Sequence, residues 1–383
     1  MTAKETAMPA LLPDIDPDGL EEFSVVFTDR SLNHMSKSFQ QVMRDISSML
    51  REVYNADAVA LVPGGGTYGM EAVARQFATG KRALIVRNGW FSFRWSQIFD
   101  MGGFAGETHI AMARQAGNDA QSPFAPAPVD EVVNAIRDRR PDVVFAPHVE
   151  TASGMILPDD YLRALAAAAH DVGALFVLDC IASGCVWVDM KALGVDVLIS
   201  APQKGWSASP SAGLVMMSAE AERRLEASTS NSFALDLKKW RAMMAAYEGG
   251  GHAYHATMPT DALRAFRDTM VETKGYGFER LREAQWALGN GVRAALAKRG
   301  IASVAAEGFG APGVVVSFTK DPDIQNGKKF AANGVQIAAG VPLQVGEGDG
   351  YRSFRIGLFG LDKLYDVAGT IARVEAALDA ALG

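Results

Sequence analysis

Five short, mostly apolar runs recur between residues 58 and 200: AVALV at 58–62, RALIV at 82–86, DVVFA at 142–146, GALFVL at 173–178 and VDVLIS at 195–200. Stretches that read as helix separate them, at 68–78, 90–101, 130–139 and 159–172. A strand that is apolar on both faces has to be covered on both faces. Helices between successive strands supply that cover, so the alternation predicts an α/β fold with a mostly parallel sheet. A further run, LVMM at 214–217, is expected to lie antiparallel to its neighbours. Ahead of the first strand, 34–54 carries Phe39, Val42, Met43, Ile46, Met49, Leu50 and Val53 at the spacing of an amphipathic helix.

The chain has 383 residues, which fits about two domains. Residues 1–20 read as a poorly ordered arm, 21–260 as a large domain, and 261–383 as a smaller α+β domain. The boundary is placed near 260, after EGGGHAYHATMPT, which holds too much glycine for a simple helix. Beyond it come a long helical region to about 299, strand-like pieces at 313–318 and 353–357, and a last helix near 363–381. QSPFAPAP at 121–128 reads as a loop. Lys and Arg number 37 against 44 Asp and Glu, a net charge of −7, which disfavours nucleic acid as a partner. Cys180 and Cys185 make neither a disulfide framework nor a CxxC motif, and a reducing, cytoplasmic setting is expected. The opening MTAKETAMPALLPDIDPDG reads as neither signal nor anchor, and no apolar run is long enough to predict a membrane span. No metal site is expected.

In a doubly wound sheet, ligands bind beyond the carboxyl ends of the strands, and four groups of residues fall there. PGGGTYGMEA (63–72) runs a strand through three glycines into a helix, where free N–H groups and the helix dipole suit a phosphate. It matches neither GxGxxG nor a Walker sequence, and a plain tight turn is the alternative. HVETASG (148–154) offers the hydroxyls of Thr151 and Ser153. Asp179 closes GALFVLD, and a carboxylate there needs a partner. Lys204 follows in LISAPQKGWSASP, an ammonium at the end of an apolar run. It is either a surface lysine in a turn or an amine occupied covalently. A phosphate cradle, an aspartate and a lysine at sheet ends together suit pyridoxal phosphate, which needs a phosphate site, a carboxylate facing its pyridine nitrogen and a lysine to join it.

At this point the chain resembles the class V aminotransferases of fold type I, in the alanine–glyoxylate and serine–glyoxylate branch. The resemblance rests on GGGTYGMEA, NGWFSFR, HVETASG, LDCIAS, SAPQKGWSASPSAG, YHATMP and FRIGLFG in that order, over about 34–381. It implies a large domain with a seven-stranded-type sheet and exchange of an amino group between a small L-amino acid and a small 2-oxo acid, glyoxylate or pyruvate. Residue by residue it implies that Lys204 joins the cofactor and shuttles the α-proton, while Asp179 pairs with the ring nitrogen. Gly65, Gly66, Thr67 and Gln203 would hold the phosphate. Phe91, or its neighbour Trp90, would stack on the ring, and Thr151 would bind the ring hydroxyl. Tyr254 and Thr257 would reach the phosphate of a second subunit, which implies a homodimer with shared sites. Arg355 would bind the substrate carboxylate.

Other readings stand beside these. Phe91 and Trp90 fit a core, Tyr254 and Thr257 an ordinary loop, and Arg355 a structural ion pair. His148 is expected to be a structural hydrogen-bonder, Arg87 and Arg94 surface or intersubunit ion-pair residues, and the cysteines packing residues. The family's Gly-Pro-rich N-terminal loop is missing from EEFSVVFTDRSLNHMSK, where Phe27, Thr28 and Arg30 are expected to stand in. A cysteine desulfurase is disfavoured, since no cysteine follows Cys185 and Gln203 precedes the lysine. A lyase or decarboxylase using the same cofactor, or a non-catalytic cofactor binder, stays open.

Overall fold

The computed structural model describes residue 20 and residues 23–382, so the expected arm lies, Leu20 apart, outside the described residues. Seven strands form the main sheet: β1 (Ala58–Pro63), β2 (Ala83–Arg87), β3 (Thr108–Met112), β4 (Val143–Pro147), β5 (Leu175–Asp179), β6 (Val197–Ser200) and β7 (Ala212–Met217). Their spatial order is β1-β7-β6-β5-β4-β2-β3. β7 is antiparallel to both neighbours, and the remaining pairs are parallel, as the sequence predicts. Pro147 and Ile199 are both in register with Asp179. The loops after β4, β5 and β6 therefore open at one edge, where the ligand rule puts a site.

Helix α1 (Lys37–Tyr54) starts three residues into the 34–54 stretch because Ser36 caps it, its hydroxyl accepting from Phe39 N at 3.1 Å. α2 (Gly66–Phe77) follows β1, and α3 (Trp90–Gly102) follows β2. β3 escapes the apolar-run argument because it pairs on one side only and its residues are half-buried or exposed. The amphipathic helices Ala219–Ala227 and Leu237–Glu248 also went unread. QSPFAPAP is not wholly loop, since Phe124–Ala125 pairs with Arg114–Gln115.

The second half carries a three-stranded antiparallel sheet, with Ser353–Gly357 between Val314–Phe318 and Ala338–Ala339. The long helical region is two helices, Thr260–Tyr276 and Phe278–Lys298, broken where Gly277 takes φ 104°. Leu263, Phe266 and Met270 of the first pack into the core under the main sheet. Leu281, Leu288 and Val292 of the second pack with the small sheet. On this packing we propose the domain boundary at Gly277 rather than near 260. The last helix is also split, into Leu361–Leu364 and Val367–Leu382. No described helix is long and apolar enough to cross a membrane.

Candidate active site

A cavity of about 390 Å³ opens at the carboxyl edge of the main sheet. The loops after β1, β2, β4, β5 and β6 line its floor with Gly66 and Thr67, Phe91 and Arg94, Val149 and Thr151, Asp179 and Ile181, and Gln203 and Lys204. The small sheet and the loop after it form the facing wall, with Val314, Ala338, Arg355, Gly357 and Phe359.

Lys204 sits in a turn pinned on both sides. Ser207 N donates to the Lys204 carbonyl at 3.1 Å, and Ala208 N to the Pro202 carbonyl at 3.1 Å. Its Nζ lies 5.0 Å from the centre of the Phe359 ring. Burial, reinforced by the Arg355 charge, holds the amine below the ordinary lysine range. Asp179 is only 7% exposed and accepts one N–H, from Ile181 at 2.9 Å. Burial pushes its carboxyl up to about 7; the Ile181 N–H and Arg94 oppose that rise, and the negative charge of Glu150 adds to it. A buried carboxylate so poorly paired fits opposite a cation.

Backbone N–H groups at the start of α2 point outward, as in any first helical turn. A Cβ at Gly66 would meet Ile181 Cδ1 at 2.5 Å, so a larger residue there would have to displace Ile181. Gln203 Oε1 is buried without a hydrogen-bond partner. A phosphate would accept from the N–H groups at the start of α2 and from the amide N–H of Gln203, Asp179 would meet the ring nitrogen, and the Phe91 face would meet the ring. The residues present therefore fit pyridoxal phosphate.

The structure brings Gly66, Thr67, Phe91, Thr151, Asp179, Gln203, Lys204 and Arg355 to one cavity. Trp90 instead packs against Phe93 at 6.0 Å between ring centres. Gly65 is the N-cap of α2 and does not line the cavity. Tyr254 and Thr257 are outside it too, hydrogen-bonded to each other at 3.1 Å, with Tyr254 54% exposed. Phe27, Thr28 and Arg30 do not reach it in one chain; Phe27 packs on His34 and Arg30 lies 3.7 Å from Asp29. His148 is buried, bonded to Ser183 at 2.7 Å, and burial, with the Arg282 charge, lowers it to about 4, so it is neutral at pH 7.

Two expectations are corrected. Arg87 is not a surface residue. It is buried, donates to Ser96 Oγ at 2.7 Å and to the Gln344 carbonyl at 3.2 Å, and lies 4.6 Å above Phe93. Arg94 lies one helical turn from Phe91, so it turns into the cavity and donates to Thr67 Oγ1 at 2.9 Å. That spacing was a readable signal. Glu150 went unread as well. It is fully buried and accepts from Phe91 N at 3.2 Å and Ala152 N at 2.9 Å through Oε1, and from Ser92 N at 2.8 Å and Ser92 Oγ at 2.7 Å through Oε2. It clamps the start of α3, and with it Phe91, to the sheet edge. Phe359 lies in the FRIGLFG stretch but was not singled out, since only the fold brings it against Lys204.

A family model described as aminotransferase class-V matches residues 22–304. A 2-aminoethylphosphonate–pyruvate transaminase of Salmonella paratyphi B is 30% identical over 66% of this chain and 67% of its own length. A Synechococcus protein named soluble hydrogenase, small subunit, is 26% identical over 91% of this chain and 87% of its own. Among the described residues no three His, Cys, Asp or Glu side chains gather to hold a metal ion, and that name stays with that protein. The solved alanine–glyoxylate aminotransferase of Nostoc sp. shares the fold, with a TM-score of 0.74 at 22% identity over 90% of this chain and 88% of that one.

Proposed function

The chain belongs to the class-V aminotransferase family, and from that premise we propose that it moves an amino group from a small L-amino acid, alanine or serine, to glyoxylate or pyruvate. It is a transaminase of fold type I, and its cofactor is pyridoxal phosphate. The observation that supports the reading most is the meeting of Lys204, Asp179, Thr67 and Arg355 in one cavity. The cofactor, when bound, carries the amino group and takes up the electrons left as the α-carbon loses its proton.

The chain's own residues do the rest. Lys204 Nζ holds the cofactor and then moves the α-proton; an amine held below its ordinary range is free to accept a proton nearer neutral pH. Asp179 keeps negative charge opposite the ring nitrogen. Phe91 fixes the ring plane, Thr151 binds the ring hydroxyl, and Gly66, Thr67 and Gln203 hold the phosphate, with Gly65 shaping the turn. Arg355 donates through Nε to the Ala339 carbonyl at 2.8 Å, which anchors the guanidinium and leaves its terminal N–H groups for the α-carboxylate. Amino donor and oxo acceptor share that carboxylate, so both use this one clamp in turn. Tyr254 and Thr257, exposed and outside their own chain's cavity, act across a homodimer on the partner's phosphate.

A half-reaction screen tests the reading. Single amino acids are added to the holoenzyme, and loss of the cofactor's yellow form is followed together with release of a 2-oxo acid. Alanine or serine is expected to drive both. Spectral change with carbon dioxide release would favour a decarboxylase, and binding without product a non-catalytic protein. For the dimer, light scattering and mixed dimers of Lys204→Ala with a Tyr254/Thr257 double variant are expected to show two chains and one repaired site. A fully active monomer would rule the shared site out.

A further inference from the structure

We propose that Arg94 is a ligand of the cofactor's phosphate and supplies the chain's own positive charge at that end of the cavity. The inference rests on the pyridoxal phosphate reading. A phosphate monoester carries about −1.5 to −2 charge at pH 7. The groups assigned to it, Gly66, Thr67 and Gln203, are neutral, as are Tyr254 and Thr257 from a second subunit. The start of α2 offers only a partial charge, on the order of +0.5. Lys204 is committed to the covalent link. Without another cation, a dianion in a half-enclosed cavity would be under-neutralised.

Arg94 meets that need by position. Its Nη1 donates to Thr67 Oγ1 at 2.9 Å, so the guanidinium stands beside the first turn of α2. It also lies 5.2 Å above the Phe91 ring, and both residues line the cavity. Every carboxylate among the described residues lies beyond ion-pair distance of it, and a planar fork is a natural partner for phosphate oxygens. Both of the cavity's arginines lie over the Phe91 ring, Arg94 at 5.2 Å and Arg355 at 5.6 Å from its centre, and Arg94 is the one tied to Thr67 at the start of α2. The Arg355 charge is felt at Lys204, and the Arg94 charge at Asp179. Phe91 and Arg94 share one face of α3, whose start Glu150 fixes, so one helix presents both the stacking ring and the cation.

The test uses full-length protein freed of cofactor and titrated separately with pyridoxal phosphate and with pyridoxal, which lacks the phosphate. Quenching of tryptophan fluorescence and the absorbance of bound cofactor report affinity. Arg94→Gln is expected to weaken pyridoxal phosphate about 10- to 100-fold and to leave pyridoxal within about twofold. Inorganic phosphate is expected to raise the melting temperature of the wild-type apoprotein and not that of Arg94→Gln. Arg94→Lys keeps the charge without the fork and is expected to lose less affinity, again for pyridoxal phosphate alone; it decides the matter if Arg94→Gln does not fold. Unchanged pyridoxal phosphate affinity, or equal weakening of both ligands, overturns the proposal. Failure of the wild-type protein to bind either ligand would overturn the cofactor reading itself.

Discussion

The floor and the wall of the cavity are built differently. The floor rises from central strands whose residues are buried on both faces, and its reactive turn is tied down by main-chain hydrogen bonds around Lys204. The wall comes from a three-stranded sheet with a two-residue edge strand, and Arg355 holds to it by one bond to the Ala339 carbonyl. A cofactor that stays through every cycle needs fixed geometry. Two substrates that alternate in one pocket need a surface that adjusts, and a side chain on a short antiparallel sheet held by a single side-chain bond suits that. Substitutions on the floor should therefore cost chemistry, and substitutions on the wall should cost substrate recognition.

The largest effect belongs to Lys204→Ala. Losing both the covalent link and the proton carrier is expected to cut turnover by about 10³-fold or more, while the cofactor still binds. Borohydride reduction followed by peptide mapping checks the assignment, and label on another lysine would move the floor's centre elsewhere.

Asp179→Asn comes next and separates stability from chemistry. In the ligand-free protein the carboxyl has a folded pKa of about 7 against 3.8 unfolded. A raised carboxyl is protonated in the fold while still ionised in the open chain. It therefore costs nothing below about pH 4, costs more as pH rises to 7, and costs its full amount above that, on the order of 4 kcal/mol at most. Asp179→Asn apoprotein is expected to melt above wild type at pH 8 and level with it near pH 4. The same variant is expected to slow the α-proton step more than about tenfold in single turnovers. Equal melting at pH 8 would mean the carboxylate is already paired without cofactor.

Arg355→Lys probes the wall. It keeps the charge and loses the fork, so kcat/KM should fall by about 1–3 kcal/mol for the amino donor and the oxo acceptor alike, with cofactor affinity unchanged. Loss for only one of the two substrates would break the shared-clamp idea.

The same contrast decided what could be read in advance. The floor was legible because each of its groups follows an apolar strand directly, so Asp179 and Lys204 announce themselves locally. Glu150 was hidden within HVETASG because its role, taking three hydrogen bonds at the start of α3 beside one from Ala152 N, depends on a contact with a helix some 60 residues away. Arg94 was expected to be a surface or intersubunit ion-pair residue, although the spacing that brings it to the cavity beside Phe91 was visible. The small sheet's core strands were readable as apolar runs, but Ala338–Ala339 is too short to leave a pattern, and nothing near Phe359 ties it to Lys204. The two-helix break at Gly277 shows the same limit: a glycine marks a turn, and only packing shows which core each side joins.

Phe359 is where the wall touches the floor's nucleophile, and it offers the smallest effect and the sharpest check on the contrast. Its ring centre is 5.0 Å from Lys204 Nζ. The negative face of an aromatic ring favours the ammonium over the neutral amine, by about 0.5–1 kcal/mol for a partly exposed pair. Burial and the Arg355 charge act in the opposite sense and prevail, since the amine stands below its ordinary range. Phe359→Leu keeps an apolar wall of similar size but removes the ring, so the ammonium should become less favoured still. The pH at which half the amine is free should then fall. At a fixed neutral pH, pyridoxal phosphate should join the apoprotein about two- to fivefold faster in the variant, a gain that disappears at high pH where the amine is free in both. Stopped-flow absorbance across a pH series measures this directly. A pH midpoint that stays in place or rises would mean that the ring lies against the lysine without holding its charge, and that the wall leaves the chemistry of the floor untouched.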